Sequence, residues 1–147
     1  MRARIEIFVH TDCGELDPER LEERARRALP HCLRARGREE PVLGDLAEIE
    51  VSLVSDETIA GVHQEFLDDP TPTDVITFPH GEILLSIDTA RREAPSHGNS
   101  VEDEALLYLI HGLLHLNGHT DLQEPDRTEM HRVQEEILRR VLLASAE

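Results

Sequence analysis

The residues best suited to chemistry form one short run, His111-Gly112-Leu113-Leu114-His115-Leu116-Asn117-Gly118-His119-Thr120-Asp121. Two histidines four apart on a helix differ by about 40° in direction and stand one turn above the other, so both imidazoles reach one ion. Gly118 permits a turn, after which a third ligand, His119 or Asp121, closes on the same ion from outside the helix. Spacing favours Asp121: in the zincin pattern HExxHxxGxxH it is the third residue after the glycine that returns to the metal. His119 then supports a ligand or faces substrate. Gly112 stands where that pattern has its glutamate, so the usual general base is missing. Two imidazoles and a carboxylate suit one Zn2+ per chain with a position open for water, while ligand type alone also admits nickel, iron or copper. Metal-bound water ionises near neutral pH and attacks a polarised phosphoryl or carbonyl group, so the expected chemistry is hydrolysis, with His111 and His115 as the catalytic pair.

These ligands need a helix that is held deep in the protein. Ser100, with Asp103 three residues on, is a capping-box-like start. Ala105, Leu106, Leu107, Leu109, Ile110, Leu113, Leu114 and Leu116 then make the helix apolar almost all round, so it is central. Four strands are predicted around it. Residues 4 to 9 and 48 to 54 alternate, burying Ile5, Ile7 and Val9 in the first and Ile49, Val51 and Leu53 in the second. Thr73 to Phe78 and Glu82 to Ile87 follow, joined around Pro79-His80-Gly81, and the continuous run Ile83, Leu84, Leu85, Ile87 suits a strand covered on both faces.

The remaining helices are expected from Asp17, as N-cap, to Gly37; from Ser55 or Asp56 with Ile59, Val62 and Phe66 inward; from Asp88 to about Pro95; and from Pro125 with Met130, Val133, Ile137, Leu138, Val141 and Leu142 inward. The basic run Arg34-Ala35-Arg36-Gly37-Arg38 reads as a helix end, where cations suit the dipole. The whole is one α+β domain over residues 1–147, a small mixed four-stranded sheet flanked by about five helices, with the metal site on the central apolar helix.

Bulk properties narrow the setting. At 147 residues and 39% hydrophobic, the chain suits one packed core. No apolar run approaches about 18 residues, the N-terminus is charged, and Cys13 and Cys32 lack metal or redox spacing; a cytoplasmic protein with no membrane partner is expected. The net charge of -16 disfavours attraction to polyanions, and no DNA partner is expected. All fifteen basic residues are arginine, so any phosphate contact by a cation uses a guanidinium fork.

Pro72-Thr73-Asp74-Val75-Ile76-Thr77-Phe78-Pro79, Gly81-Glu82-Ile83-Leu84-Leu85-Ser86-Ile87-Asp88-Thr89-Ala90 and His111-Gly112-Leu113-Leu114-His115-Leu116-Asn117-Gly118 resemble, in that order, the YbeY family of bacterial endoribonucleases. The likeness runs from about Val51 to Asp121. It implies a small mixed sheet flanked by helices and an enzyme acting on single-stranded RNA, the precursors of ribosomal RNA, in maturation and ribosome quality control. It also implies the small ribosomal subunit and a ribosome-assembly GTPase as partners. By family motif His111 and His115 are metal ligands and the third falls at Asp121, where the family more often has histidine. Leu67 occupies the position of an arginine common in the family's groove.

Several further polar groups have ordinary readings beside catalytic ones. Asp74 and Glu82 could orient water or a ligand, yet a carboxylate beside a proline turn more often caps backbone amides. Arg91 and Arg92 could replace the missing arginine, with solvated surface as the simpler role. Ser86 reads as a buried hydroxyl bonded to backbone, and Tyr108 as core with a satisfied hydroxyl. Two functions remain in play: a zinc-dependent endoribonuclease, favoured by the open metal position, and a metal-stabilised assembly factor with little catalysis, favoured by the acidic charge, Leu67 and 3% aromatic content. A peptidase-like hydrolase is weaker still without the glutamate.

Overall fold

The computed structural model describes residues 3–146; Met1, Arg2 and Glu147, the ends of the expected 1–147 domain, lie outside the described residues. Among the described residues four strands and five α-helices follow the order β1 (Arg4–Val9), α1 (Pro18–Arg34), β2 (Glu48–Val54), α2 (Asp56–Leu67), β3 (Val75–Thr77), β4 (Glu82–Ser86), α3 (Ile87–His97), α4 (Val101–Leu116) and α5 (Asp126–Ala146), with a 3-10 turn at Leu43–Asp45. The sheet order is β1-β2-β4-β3, with β1, β2 and β4 parallel and β3 antiparallel to β4. This is the α+β fold with a mixed four-stranded sheet that the sequence predicts.

β4 explains its own composition. Ile83 and Leu85 belong to the main core under α1, α4 and α5, while Leu84 points into a second cluster with Val54, Ile59 and Ile76. A strand covered on both faces favours apolar residues through its middle, here Ile83, Leu84 and Leu85. α4 packs against α1, α3, α5, β3 and β4 and is buried on nearly every side, as its sequence requires.

Local chemistry sets the helix starts. Asp17 accepts from the Glu19 and Arg20 amides, Ser55 from Thr58 and Ser100 from Asp103, each satisfying donors a helix leaves free. Several expectations shift. α1 ends at Arg34, so only Arg34 of the basic run is helical, and Gly37 lies beyond in a segment whose amide donates to the Asn117 carbonyl at 3.0 Å. α3 starts one residue earlier than predicted, capped by Ser86, and continues through Pro95, which sits near its end, to His97. β3 is shorter than its sequence signal because Asp74 turns the chain, its carboxylate accepting from the Val75 amide at 2.8 Å. Val9, predicted inward, is exposed at the end of the edge strand β1. In α2 only Ile59 is fully buried; Val62 is partly buried and Phe66 is 60% exposed, because the helix meets the small second cluster and not the main core.

Candidate metal centre

α4 carries His111 and His115, and the loop after it brings back Asp121. Their ligand-type atoms lie within 4.8 Å of one another. The two Nε2 atoms are 2.9 Å apart, and the Asp121 carboxylate stands 3.3 Å from His111 Nε2 and 3.8 Å from His115 Nε2. His111 is held by Gln134 on α5, whose Oε1 accepts from Nδ1 at 2.6 Å; His115 Nδ1 donates to the His119 carbonyl at 3.0 Å. With both Nδ1 atoms donating, the neutral rings aim their Nε2 lone pairs at one point beside a carboxylate. Three acceptors converging with no donor among them are stable around a cation, so the residues fit a metal ion. Burial, then the nearby His111, holds the His115 pKa below 6.5 against the opposing pull of Asp121, which keeps that ring neutral near pH 7.

His119, the alternative third ligand, turns away. Its Nε2 donates to the Ala35 carbonyl at 2.7 Å, and its part in the site is through its backbone oxygen. The turn that separates it from Asp121 depends on Gly118, at φ +93°. A Cβ there would lie 2.4 Å from the Glu39 carbonyl oxygen, since the segment after α1 runs against the end of α4. Asn117 ties the same junction, its side-chain amide donating to the Cys32 carbonyl at 2.8 Å.

Gly112, where a zincin has its glutamate, faces the sheet. A Cβ on it would stand 2.9 Å from Thr77 Oγ1 and 3.1 Å from Ile83 Cδ1, so the position is filled by the sheet and offers no room for a base. The histidines instead face a groove of about 530 Å3, lined also by His63, Leu67, Thr73, Asp74, Thr77 and Leu122. Among the described residues no arginine lines it.

The other candidates find ordinary partners. Asp74 lines the groove while capping Val75, and Glu82 lies 3.9 Å from His80, outside the groove lining. Arg91 donates to the Asp12 carbonyl at 2.8 Å, and Arg92 binds Asp56. Ser86 donates to Asp56 at 2.6 Å and caps α3. Tyr108 departs from expectation: its buried hydroxyl has no hydrogen-bond partner, and burial, with Glu104 nearby, pushes its pKa far up.

Gln134 escaped sequence reasoning, as did Glu102 and Glu104, buried in α4. Gln134 did carry a signal, a lone amide four residues from both Met130 and Leu138 on the apolar face of α5. Glu104 is fully buried, receiving bonds from His97 and Asn99, and Glu102 receives Arg20, Arg24 and the Asp17 amide.

A helix-borne histidine pair, a carboxylate returned by the following turn, and an open groove above a mixed sheet together define an α+β protein with a candidate metal-binding triad. The family described as Endoribonuclease YbeY matches residues 7–142, and the chain belongs to that family. Among its relatives are proteins named Endoribonuclease YbeY from Thermus thermophilus, 38% identical over 82% of this chain and 91% of the relative, and from Nautilia profundicola, 39% identical over 67% of this chain and 76% of the relative. The solution structure of TM1509 from Thermotoga maritima is similar with a TM-score of 0.61 and 29% identity, covering 93% of this chain and 88% of that one. Membership supports an endoribonuclease role, a hydrolytic nuclease with RNA as its substrate class. No helix among the described residues is long and apolar enough to cross a membrane.

Proposed function

We propose that the protein is a zinc-dependent endoribonuclease that cuts single-stranded ribosomal RNA precursors, with His111, His115 and Asp121 as metal ligands. One observation carries the reading: three acceptor atoms from α4 and its turn converge at the floor of an open groove, with both imidazoles locked in the ligating tautomer. A divalent ion held there supplies Lewis acidity toward a phosphoryl oxygen and lowers the pKa of water. The chain's own residues do the positioning. Gln134 and the His119 carbonyl fix the two rings, and Gly112 lets α4 approach β3 and β4 so that the histidines sit at the groove floor. The carboxylate of Asp121 partly neutralises the ion and makes it a milder Lewis acid than three imidazoles would.

By family resemblance the reaction belongs to ribosomal RNA maturation and ribosome quality control in the cytoplasm, with the small ribosomal subunit and an assembly GTPase as partners, the 1–147 chain acting as one domain. The arginine-free groove favours a second reading, an assembly factor stabilised by its metal. Metal content and single-stranded RNA cleavage, measured on one preparation of the parent, His115→Ala and Asp121→Ala, separate the two. The nuclease reading expects His115→Ala to lose the metal, Asp121→Ala to hold it weakly and both to lose cleavage. Full metal retention in both variants removes the site; metal in the parent with no cleavage above the variants selects the assembly factor.

A further inference from the structure

Two of the chain's four aromatic residues, Phe66 and Phe78, meet beside the groove together with His80. Phe66, at the end of α2, meets Phe78 edge to face with centroids 5.4 Å apart, and Phe78 lies 5.6 Å from the His80 ring at an interplanar angle of 15°. The row is open to solvent at both ends: Phe66 is 60% exposed and the His80 side chain 70%. It is also anchored, since Phe78 packs on the cluster of Val54, Ile59, Ile76 and Leu84. Its chain neighbours Leu67 and Thr77 line the metal groove, which sets the row beside the groove.

We infer that Phe66, Phe78 and His80 form a nucleobase-stacking site that holds unpaired bases of the RNA strand next to the metal groove, an assignment that rests on the endoribonuclease reading above. Exposed rings in a chain with four Phe, Tyr and Trp residues, in place of a basic groove lining, fit that occupant. Every base presents a π face, and stacking on aromatic side chains is how single strands are commonly gripped without base-specific hydrogen bonds. The groove offers no guanidinium for the phosphates, so base faces are the part of the strand that this rim can hold. Leu67, 59% exposed between rim and groove, adds apolar surface against the sugar or base edge.

The chain has no tryptophan, so Phe66→Trp introduces a single fluorophore at the rim. A single-stranded oligoribonucleotide is titrated in chelator, which prevents cleavage, into the parent, Phe66→Ala and Phe66→Trp. The inference expects Phe66→Ala to bind about tenfold more weakly, Phe66→Trp to bind at least as well as the parent, and the tryptophan emission to be quenched on saturation. Parent-like affinity in Phe66→Ala, or tryptophan emission that saturating RNA leaves unchanged, overturns it. Cleavage by the parent together with either of those results leaves the nuclease reading standing. A parent that neither binds nor cleaves RNA overturns the nuclease reading and the stacking site together.

Discussion

The imidazole of His111 can serve as a metal ligand through Nε2 only when its proton sits on Nδ1, and Gln134 favours that by accepting from Nδ1 at 2.6 Å. Gln134→Leu removes the acceptor while keeping the bulk within an apolar helix face. Metal affinity is expected to fall by about 10- to 100-fold, measured by competition with a chelator, with the fold retained. Leu67 offers the opposite experiment. It lines the groove and is largely exposed, so Leu67→Arg places a guanidinium beside the substrate path without displacing core. Single-stranded RNA cleavage should rise several-fold in kcat/KM, and an unchanged value would mean that phosphate charge at this wall does not limit the reaction.

α4 holds the site only because it lies close against the sheet, and Gly112 sets that distance. Gly112→Ala puts a methyl 2.9 Å from Thr77 Oγ1 and 3.1 Å from Ile83 Cδ1, so those side chains or the helix must shift. The expected cost is about 1–3 kcal/mol in urea unfolding, together with weaker metal binding as His111 and His115 move. The start of α2 and the start of α3 are tied by Asp56, which receives Arg92, Ser86 and Thr89. Burial opposes ionisation there, but those three donors outweigh it and hold the carboxyl below its usual 3.8. Because the folded value is depressed, the stabilisation is fully present above pH 3.8 and is lost as pH falls through the lower folded value. The stability gap between parent and Asp56→Asn, followed by thermal melts, should therefore narrow below pH 3.8 and stay constant above it.

A whole molecule with a net charge of -16 repels RNA at long range, and its candidate groove has no arginine to release counterions. RNA affinity should thus depend only weakly on salt: raising monovalent salt from about 50 to about 200 mM should weaken binding less than tenfold, where a protein with 6–10 phosphate contacts loses roughly 10³–10⁵. A steep slope in a filter-binding titration would point to an arginine surface away from the groove. At this scale the all-round apolar surface of α4 and the alternation of β2, with the unbroken apolar run of β4, were legible in the sequence because each reports burial within one element. The histidine pair was legible for the same reason, both residues lying on one face of one helix. The choice between Asp121 and His119 had the zincin spacing and the family motif behind it, but no contact. What turns His119 aside is the Ala35 carbonyl, more than eighty residues earlier in the chain. Gln134, 23 residues beyond His111, and the exposed Phe66 row also depend on which helix packs where. Sequence by itself determined the order and type of the elements, the buried helix and the candidate ligand types, since these follow from local pattern. Tertiary packing alone decided which nitrogens converge at the candidate site, which candidate is turned away and which apolar residues stay in water, since those are set by distances between elements that no local pattern encodes.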